Sequence, residues 1–243
     1  MRRAAIILSI ALCSITTLHA QWGNNKKVQG DGNVVTKNRN ISEYDAIKLK
    51  GSLDVSLVSG TEGNISIQGE SNLIPYIITE VEGNSLKIYV KKGYWLKPSR
   101  GTKLEVTVPF KDLSNVTLSG SGDIYSKDVI KATDFKTGIS GSGDVNLVID
   151  AENTEGFVTG SGDLVLSGSS TSFDCKVTGS GDLEAYNLKS KEVVASVTGS
   201  GDVQVTATAS IRARITGSGD IMYKGNPEIE DKKVSGSGDI TRQ

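Results

Sequence analysis

The chain has 243 residues, with 27 basic and 28 acidic side chains, 28 glycines and four prolines. Its near-neutral charge gives no reason to expect nucleic acid as a partner, and its length and apolar share do not suit a disordered or multi-span membrane chain. Half of the glycines, 14, fall in one recurring tetrapeptide, so they mark placed backbone geometry rather than flexible linkers.

Met1-Arg2-Arg3 precedes an apolar run from Ala4 to Leu12 that continues through Ile15 to Ala20. This is the layout of a secretory signal over 1–20, with cleavage expected after Ala20. Ser9, Ser14, Thr16, Thr17 and His19 interrupt the run, whereas a membrane anchor needs roughly 18 to 20 nearly unbroken apolar residues, so the mature chain is expected to have no transmembrane segment. A lipoprotein signal ending at Cys13 is the rival reading, disfavoured by the bulk of Leu12 just before it. Removal of the segment takes away the only histidine and one of two cysteines, leaving 25 basic residues against 28 acidic. Cys175 is then alone, and no intramolecular disulfide is expected in spite of an oxidising destination.

Residues 21–38 read as a polar linker, with loose structure expected as far as 40. Residues 39–115 form an irregular β region, with apolar alternation at 47–58, 65–68, 86–90 and 104–108. A short helix is expected over 72–81, where Asn72 can cap and Pro75 falls in the first turn. Gly51-Ser52-Leu53-Asp54-Val55 resembles a degraded copy of the motif that dominates the rest of the chain.

That motif is Gly-Ser-Gly-Asp, beginning at Gly120, Gly141, Gly160, Gly179, Gly199, Gly217 and Gly236, at spacings of 21, 19, 19, 20, 18 and 19. Two residues before each first glycine stands an aliphatic residue: Leu118, Ile139, Val158, Val177, Val197, Ile215 or Val234. Another follows each aspartate: Ile124, Val145, Leu164, Leu183, Val203, Ile221 or Ile240. At a period of two, the aliphatic and glycine positions share one face and the Ser/Thr, Ser and Asp positions the other. A repeat of about 19 residues with β alternation is the signature of a solenoid whose coils cover one another's apolar faces. The fold class expected is therefore all-β: a parallel β-helix over 116–243, with an irregular β start. A right-handed wind is expected from the general preference of parallel crossovers. An antiparallel meander with the motif at each turn is the alternative. Four residues before the first glycine stand Val116, Thr137, Gly156, Cys175, Ala195, Ala213 and Lys232. Most of these are small, and Cys175 is expected to be a buried packing residue rather than a nucleophile.

The run Arg39-Asn40-Ile41-Ser42-Glu43-Tyr44-Asp45-Ala46-Ile47 leading into Gly51-Ser52-Leu53-Asp54-Val55, residues 69–81 followed by Gly83-Asn84-Ser85-Leu86-Lys87-Ile88, and the Gly-Ser-Gly-Asp series together resemble the bacterial family called "putative auto-transporter adhesin, head GIN domain". It is a domain of unknown function common in envelope proteins of Bacteroidetes, and the resemblance spans about residues 38–240. It implies an exported, β-helical protein, in the periplasm or on the cell surface, with adhesion as the presumed role. Self-translocation would need an outer-membrane barrel of at least eight strands of about ten residues, and no stretch of this chain is expected to supply one.

Two groups of residues are candidates for a site. The first is the aspartate column Asp123, Asp144, Asp163, Asp182, Asp202, Asp220 and Asp239, whose stacked carboxylates repel one another. Divalent cations such as calcium would offset that, as would hydrogen bonds from backbone N–H groups or serine hydroxyls at the corner, the reading preferred here. The second is the stretch 91–100, where Tyr94 and Trp95 lie among Lys91, Lys92, Lys97 and Arg100. Tyr94, Trp95, Lys97 and Arg100 could stack on a sugar or grip an anionic partner; alternatively, this is an ordinary connection whose Trp packs on the body of the fold. No cofactor is expected beyond the calcium alternative.

An enzyme is not expected. With the signal removed there is no histidine to serve as base for a Ser or Cys nucleophile, and no thiolate or imidazole metal site. The glycine motif lacks the Lys-Ser/Thr of a phosphate loop and leads into a strand. An envelope binding or adhesion module for a glycan or an envelope or host protein is favoured. A self-assembling scaffold comes second, because the last coil is expected to lack a covering element. A polysaccharide-active β-helix enzyme is a remote third.

Overall fold

The computed structural model describes residues 25–243, so the signal reading of 1–20, the Cys13 alternative and Trp22 lie outside the described residues. The first strands are β1 (Lys26–Gln29), β2 (Val34–Asn40), β3 (Ala46–Gly51), β4 (Asp54–Ser59) and β5 (Asn64–Glu70). After a 3-10 turn at Ile74–Tyr76 come β6 (Ile77–Glu82), β7 (Ser85–Val90), β8 (Tyr94–Lys97), β9 (Glu105–Phe110) and β10 (Asn115–Gly120). Five long strands follow, bent at the coil corners: β11 (Ile124–Gly141), β12 (Val145–Gly160), β13 (Leu164–Gly179), β14 (Leu183–Gly199) and β15 (Val203–Gly217). The chain closes with β16 (Ile221–Lys224), β17 (Ile229–Gly236) and β18 (Ile240–Arg242).

From β10 to β15 each strand lies parallel on the next, with β16 and β17 on β15 and β18 on β16. The registers align the aliphatic flanks of the motif: Leu118 with Ile139, Ile139 with Val158, and so on to Val234. The residues after the aspartates form a second column from Ile124 to Ile240. The parallel solenoid is thus the fold, and the antiparallel meander is not. Both columns face inward and are buried up to Ile215 and Ile221, each such side chain contributing about 1.5–3 kcal/mol of burial free energy.

The irregular region begins the same solenoid. β3 lies parallel on β10 with Gly51 opposite Gly120, and β4 on β11 with Val55 opposite Ile124, so residues 51–55 are a copy of the motif in true register. β7 pairs with the other edge of β3, and β9 with the other edge of β4. The segment β7 to β9 therefore lies outside the coil that precedes it in sequence. Antiparallel strands then close this end: β6 on β7, β5 on β9 and β2 on β5.

Two expectations need correction. Residues 21–40 are not all loose, because Lys26–Gln29 pairs with β8 and Val34–Asn40 with β5. The helix over 72–81 is limited to the 3-10 turn. Pro75 sits in that turn, but Ile77 onward is drawn into pairing with β7, which gives its backbone groups ladder partners that a lone helix would have to replace. The Asn72 side chain donates instead to the Gln29 carbonyl, at 2.8 Å.

At the opposite end, β17 is exposed along its whole length, and its inward register changes character. Glu230 and Lys232 take the places of Ile211 and Ala213. Their side chains pair at 2.7 Å, and the Tyr223 hydroxyl donates to Glu230 at 2.9 Å. Lys232 is thus an inward-register charge at a position that is mostly small and apolar in the other coils. Inward-pointing charges are one way in which exposed sheet edges are kept from pairing with further strands.

Candidate functional site

The corner formed by Gly-Ser-Gly-Asp accounts for every residue of the motif except its serine side chain, which has no hydrogen-bond partner among the described residues. The first glycine of each motif has φ between +123° and +143°, a conformation that L side chains rarely adopt. The second glycine has no such φ but no room either: a Cβ at Gly162 would lie 2.1 Å from the Gly143 carbonyl oxygen one coil below. The serine N–H donates to the first-glycine carbonyl of the preceding coil, as Ser161 does to Gly141 at 2.9 Å. The aliphatic N–H after the motif donates to the aspartate carbonyl of the following coil, as Leu164 does to Asp182 at 2.9 Å.

The aspartate completes this accounting. The carboxylates of Asp123, Asp144, Asp163, Asp182, Asp202 and Asp220 each accept the backbone N–H of the next aspartate in the column, at 2.8–3.2 Å. Stacked like charges are thereby matched by a ladder of charge-assisted hydrogen bonds, in the form that the corner reading expected. Among the described residues no group of three or more His, Cys, Asp or Glu side chains is arranged to hold a metal ion. Cys175 is fully buried in the inward column, between Gly156 and Ala195. Burial, then the nearby Asp174 charge, pushes its thiol well above the ordinary range, so it is an unreactive packing residue.

The second candidate group is built differently. β8 does not join the solenoid sheet; it forms a separate parallel pair with β1, placing Lys26 opposite Tyr94, Lys27 opposite Trp95, Val28 opposite Leu96 and Gln29 opposite Lys97. Alternation sends Val28 and Leu96 toward the core, where Leu96 is buried, and Trp95, Lys27 and Lys97 outward. Trp95 is 60% exposed. The connection reading, in which this Trp packs on the body of the fold, is therefore corrected. Tyr94 is the aromatic that packs, its ring 4.5 Å from that of Tyr76 with Lys91 5.7 Å above it. Arg100 is exposed in the turn that follows. Of the four contact candidates, Trp95, Lys97 and Arg100 are thus presented to solvent, and Tyr94 packs against Tyr76.

This flap is pinned by a buried carboxylate. Glu70, at the end of β5 and inaccessible to solvent, accepts hydrogen bonds from the Gly32 N–H at 2.6 Å, the Ser99 N–H at 2.9 Å and the Thr102 hydroxyl at 3.1 Å. It joins the turn after β1 to the loop after β8. Burial opposes its ionised form, but the bonds from Ser99, Gly32 and Thr102 together outweigh that and hold the carboxyl below the ordinary glutamate range. Gly30 leaves the space for it, since a Cβ there would lie 2.0 Å from the carboxylate. Asp31 and Ser71 add a further bond at 2.9 Å. Neither Glu70 nor β1 stands out in the sequence: four residues are too few for a periodic signal, and Glu70 breaks the alternation of β5 by being buried beside buried Gly69.

A family model described as "Putative auto-transporter adhesin, head GIN domain" matches residues 43–227. A solved structure of a "putative adhesin" from Bacteroides fragilis is 26% identical with a TM-score of 0.81, covering 89% of this chain and 100% of that one. A "putative lipid binding protein" from Parabacteroides distasonis is 30% identical with a TM-score of 0.74, covering 90% and 100%. A "putative adhesin" from Parabacteroides merdae, at 23% identity and a TM-score of 0.70 over 90% and 99%, shows the fold alone. No curated protein gives a match.

Proposed function

We propose a binding rather than a catalytic role for this chain, which belongs to the "putative auto-transporter adhesin, head GIN domain" family. In this reading it is an exported envelope protein, in the periplasm or on the cell surface, that attaches to a ligand through the β1–β8 flap. The names of its relatives, adhesin and lipid-binding protein, both describe attachment rather than turnover. The observation that carries the reading is Trp95, a large aromatic held 60% exposed on a flap that is itself anchored by a buried carboxylate. Rigid exposed aromatics are the usual anchors of contact surfaces, because little side-chain entropy is lost when they bind.

Among the described residues no helix is long and apolar enough to cross a membrane. The scaffold reading draws on the exposed edge of β17, with Ile229 66% and Val234 42% exposed, but the inward charges Glu230 and Lys232 oppose edge-to-edge stacking there. The regular aspartate ladder gives a polysaccharide-active enzyme no convergent cluster to use.

The test is a panel of glycans and matrix proteins offered to residues 21–243, which hold every described strand. Saturable binding that falls at least tenfold in Trp95→Ala, with an unchanged melting temperature, is the expected result. A ligand bound equally well by Trp95→Ala would move the contact surface elsewhere. Trp95→Ala is the clean variant; Tyr94→Ala also removes packing on Tyr76 and would confound binding with stability.

A further inference from the structure

The flap is a compact positive region on a negative protein. Lys26 and Lys27 on β1 are exposed, as are Lys91, Lys92, Lys97, Arg100 and Lys103 on and around β8. Neither 25–30 nor 91–104 contains an acidic residue; the carboxylates at the flap are exposed Asp31 in the turn after β1 and Glu70 buried beneath it, and none of these seven cations is in an ion pair among the described residues. The rest of the mature chain holds 18 basic residues against 28 acidic. Such a charge separation turns the molecule in the field of an anionic surface, bringing the flap toward it and the solenoid away.

The kind of charge narrows the class of ligand. Six of the seven are lysines, mobile point charges without the planar fork that reads a single carboxylate or phosphate. They spread over both strands and the adjoining turns, around an exposed indole. On the outward face of the β1–β8 pair the one uncharged polar side chain is Gln29, so little there would read the hydroxyls of a defined sugar. Diffuse lysine charge around an exposed tryptophan suits the interface of an anionic bilayer, where indole sits at headgroup level and basic residues gain from the surface potential.

We propose that the flap docks the protein on an anionic lipid surface, with Trp95 entering the headgroup layer and the surrounding lysines lying over the lipid phosphates. This deepens the reading of the flap as the contact surface and rests on it.

The experiment uses residues 21–243 carrying Trp22→Phe, so that Trp95 is the only indole, with vesicles of phosphatidylglycerol and phosphatidylcholine. The expected result is co-sedimentation with phosphatidylglycerol vesicles, a blue shift of Trp95 emission, at least tenfold weaker binding to pure phosphatidylcholine, and a similar loss at 0.5 M salt, where screening is nearly complete. Trp95→Ala and the pair Lys27→Ala with Lys97→Ala should each weaken binding about fivefold or more without moving the melting temperature. Absence of binding, equal binding to both lipids, or binding indifferent to these substitutions would overturn the proposal. Binding to soluble heparin without binding to vesicles would also overturn it, yet would leave the flap standing as a contact surface. Only a ligand bound equally well by Trp95→Ala removes both.

Discussion

The repeat and the flap obey different rules. In the coils, nearly every residue of Gly-Ser-Gly-Asp answers a need of the backbone one coil away: a glycine because φ is positive, a glycine because a carbonyl stands where its Cβ would be, an aspartate because the next N–H lacks a partner. In the flap, Trp95, Lys27 and Lys97 answer no such need, while Glu70, Gly30 and Leu96 beneath them do. Regularity in this sequence is a record of architecture. Exposed large apolar side chains occur in the coils too, at Tyr125 and Val129, but among the described residues only Trp95 stands on a strand outside the solenoid sheet.

The largest expected effect comes from a pair of glycine substitutions. Gly162→Ala puts a methyl group 2.1 Å from a backbone oxygen that cannot move without its whole coil, and should cost about 4 kcal/mol or more, or prevent folding. Gly51→Ala stands in the first copy of the motif, where φ is +104° but nothing lies within 4 Å of the new Cβ, and should cost only about 1–2 kcal/mol of backbone strain. A loss at Gly162→Ala no larger than that at Gly51→Ala in urea unfolding would show that close stacking of the coils does not select the second glycine.

A smaller effect tests the ladder. Asp182→Ala leaves the Asp202 N–H without its 2.8 Å acceptor and should cost about 1–2 kcal/mol, whereas Asp182→Asn retains an acceptor oxygen and should lose clearly less. If calcium raises the melting temperature of the wild type and not of Asp182→Asn, the column is a cation site after all.

The smallest effect is local to the flap and depends on pH. The Glu70 carboxyl is held below its ordinary value, so the stability that it contributes is fully present above the unfolded-state pKa of about 4.3 and is lost as pH falls through the lower folded value. In a Trp22→Phe background, Trp95 emission should therefore change in acid, and already at neutral pH when Glu70→Gln is added; an emission indifferent to both would disconnect Glu70 from the flap.

Much of the fold is legible in the sequence, and for a physical reason. A solenoid repeats one environment, so the same choice is written seven times, and even the altered copy at 51–55 kept its glycine, aspartate and valine in register. The closing strands were not legible. β1 is four residues long and pairs with a strand 68 positions away; the 72–81 segment has local helix signals that pairing with β7 overrides. At the candidate site, 91–100 announced itself by composition, but the outward aim of Trp95, the inward aim of Tyr94 and the addition of Lys26 and Lys27 depend on that long-range pairing.

If the flap is a surface anchored separately from the solenoid, native-state hydrogen exchange of the wild type and Glu70→Gln will show it. Regions that open independently differ in exchange without affecting each other. Exchange should be faster at 26–32 and 91–102 in the variant, with the amides of 145–217 unchanged. Acceleration that spreads evenly through the coils would contradict separate anchoring.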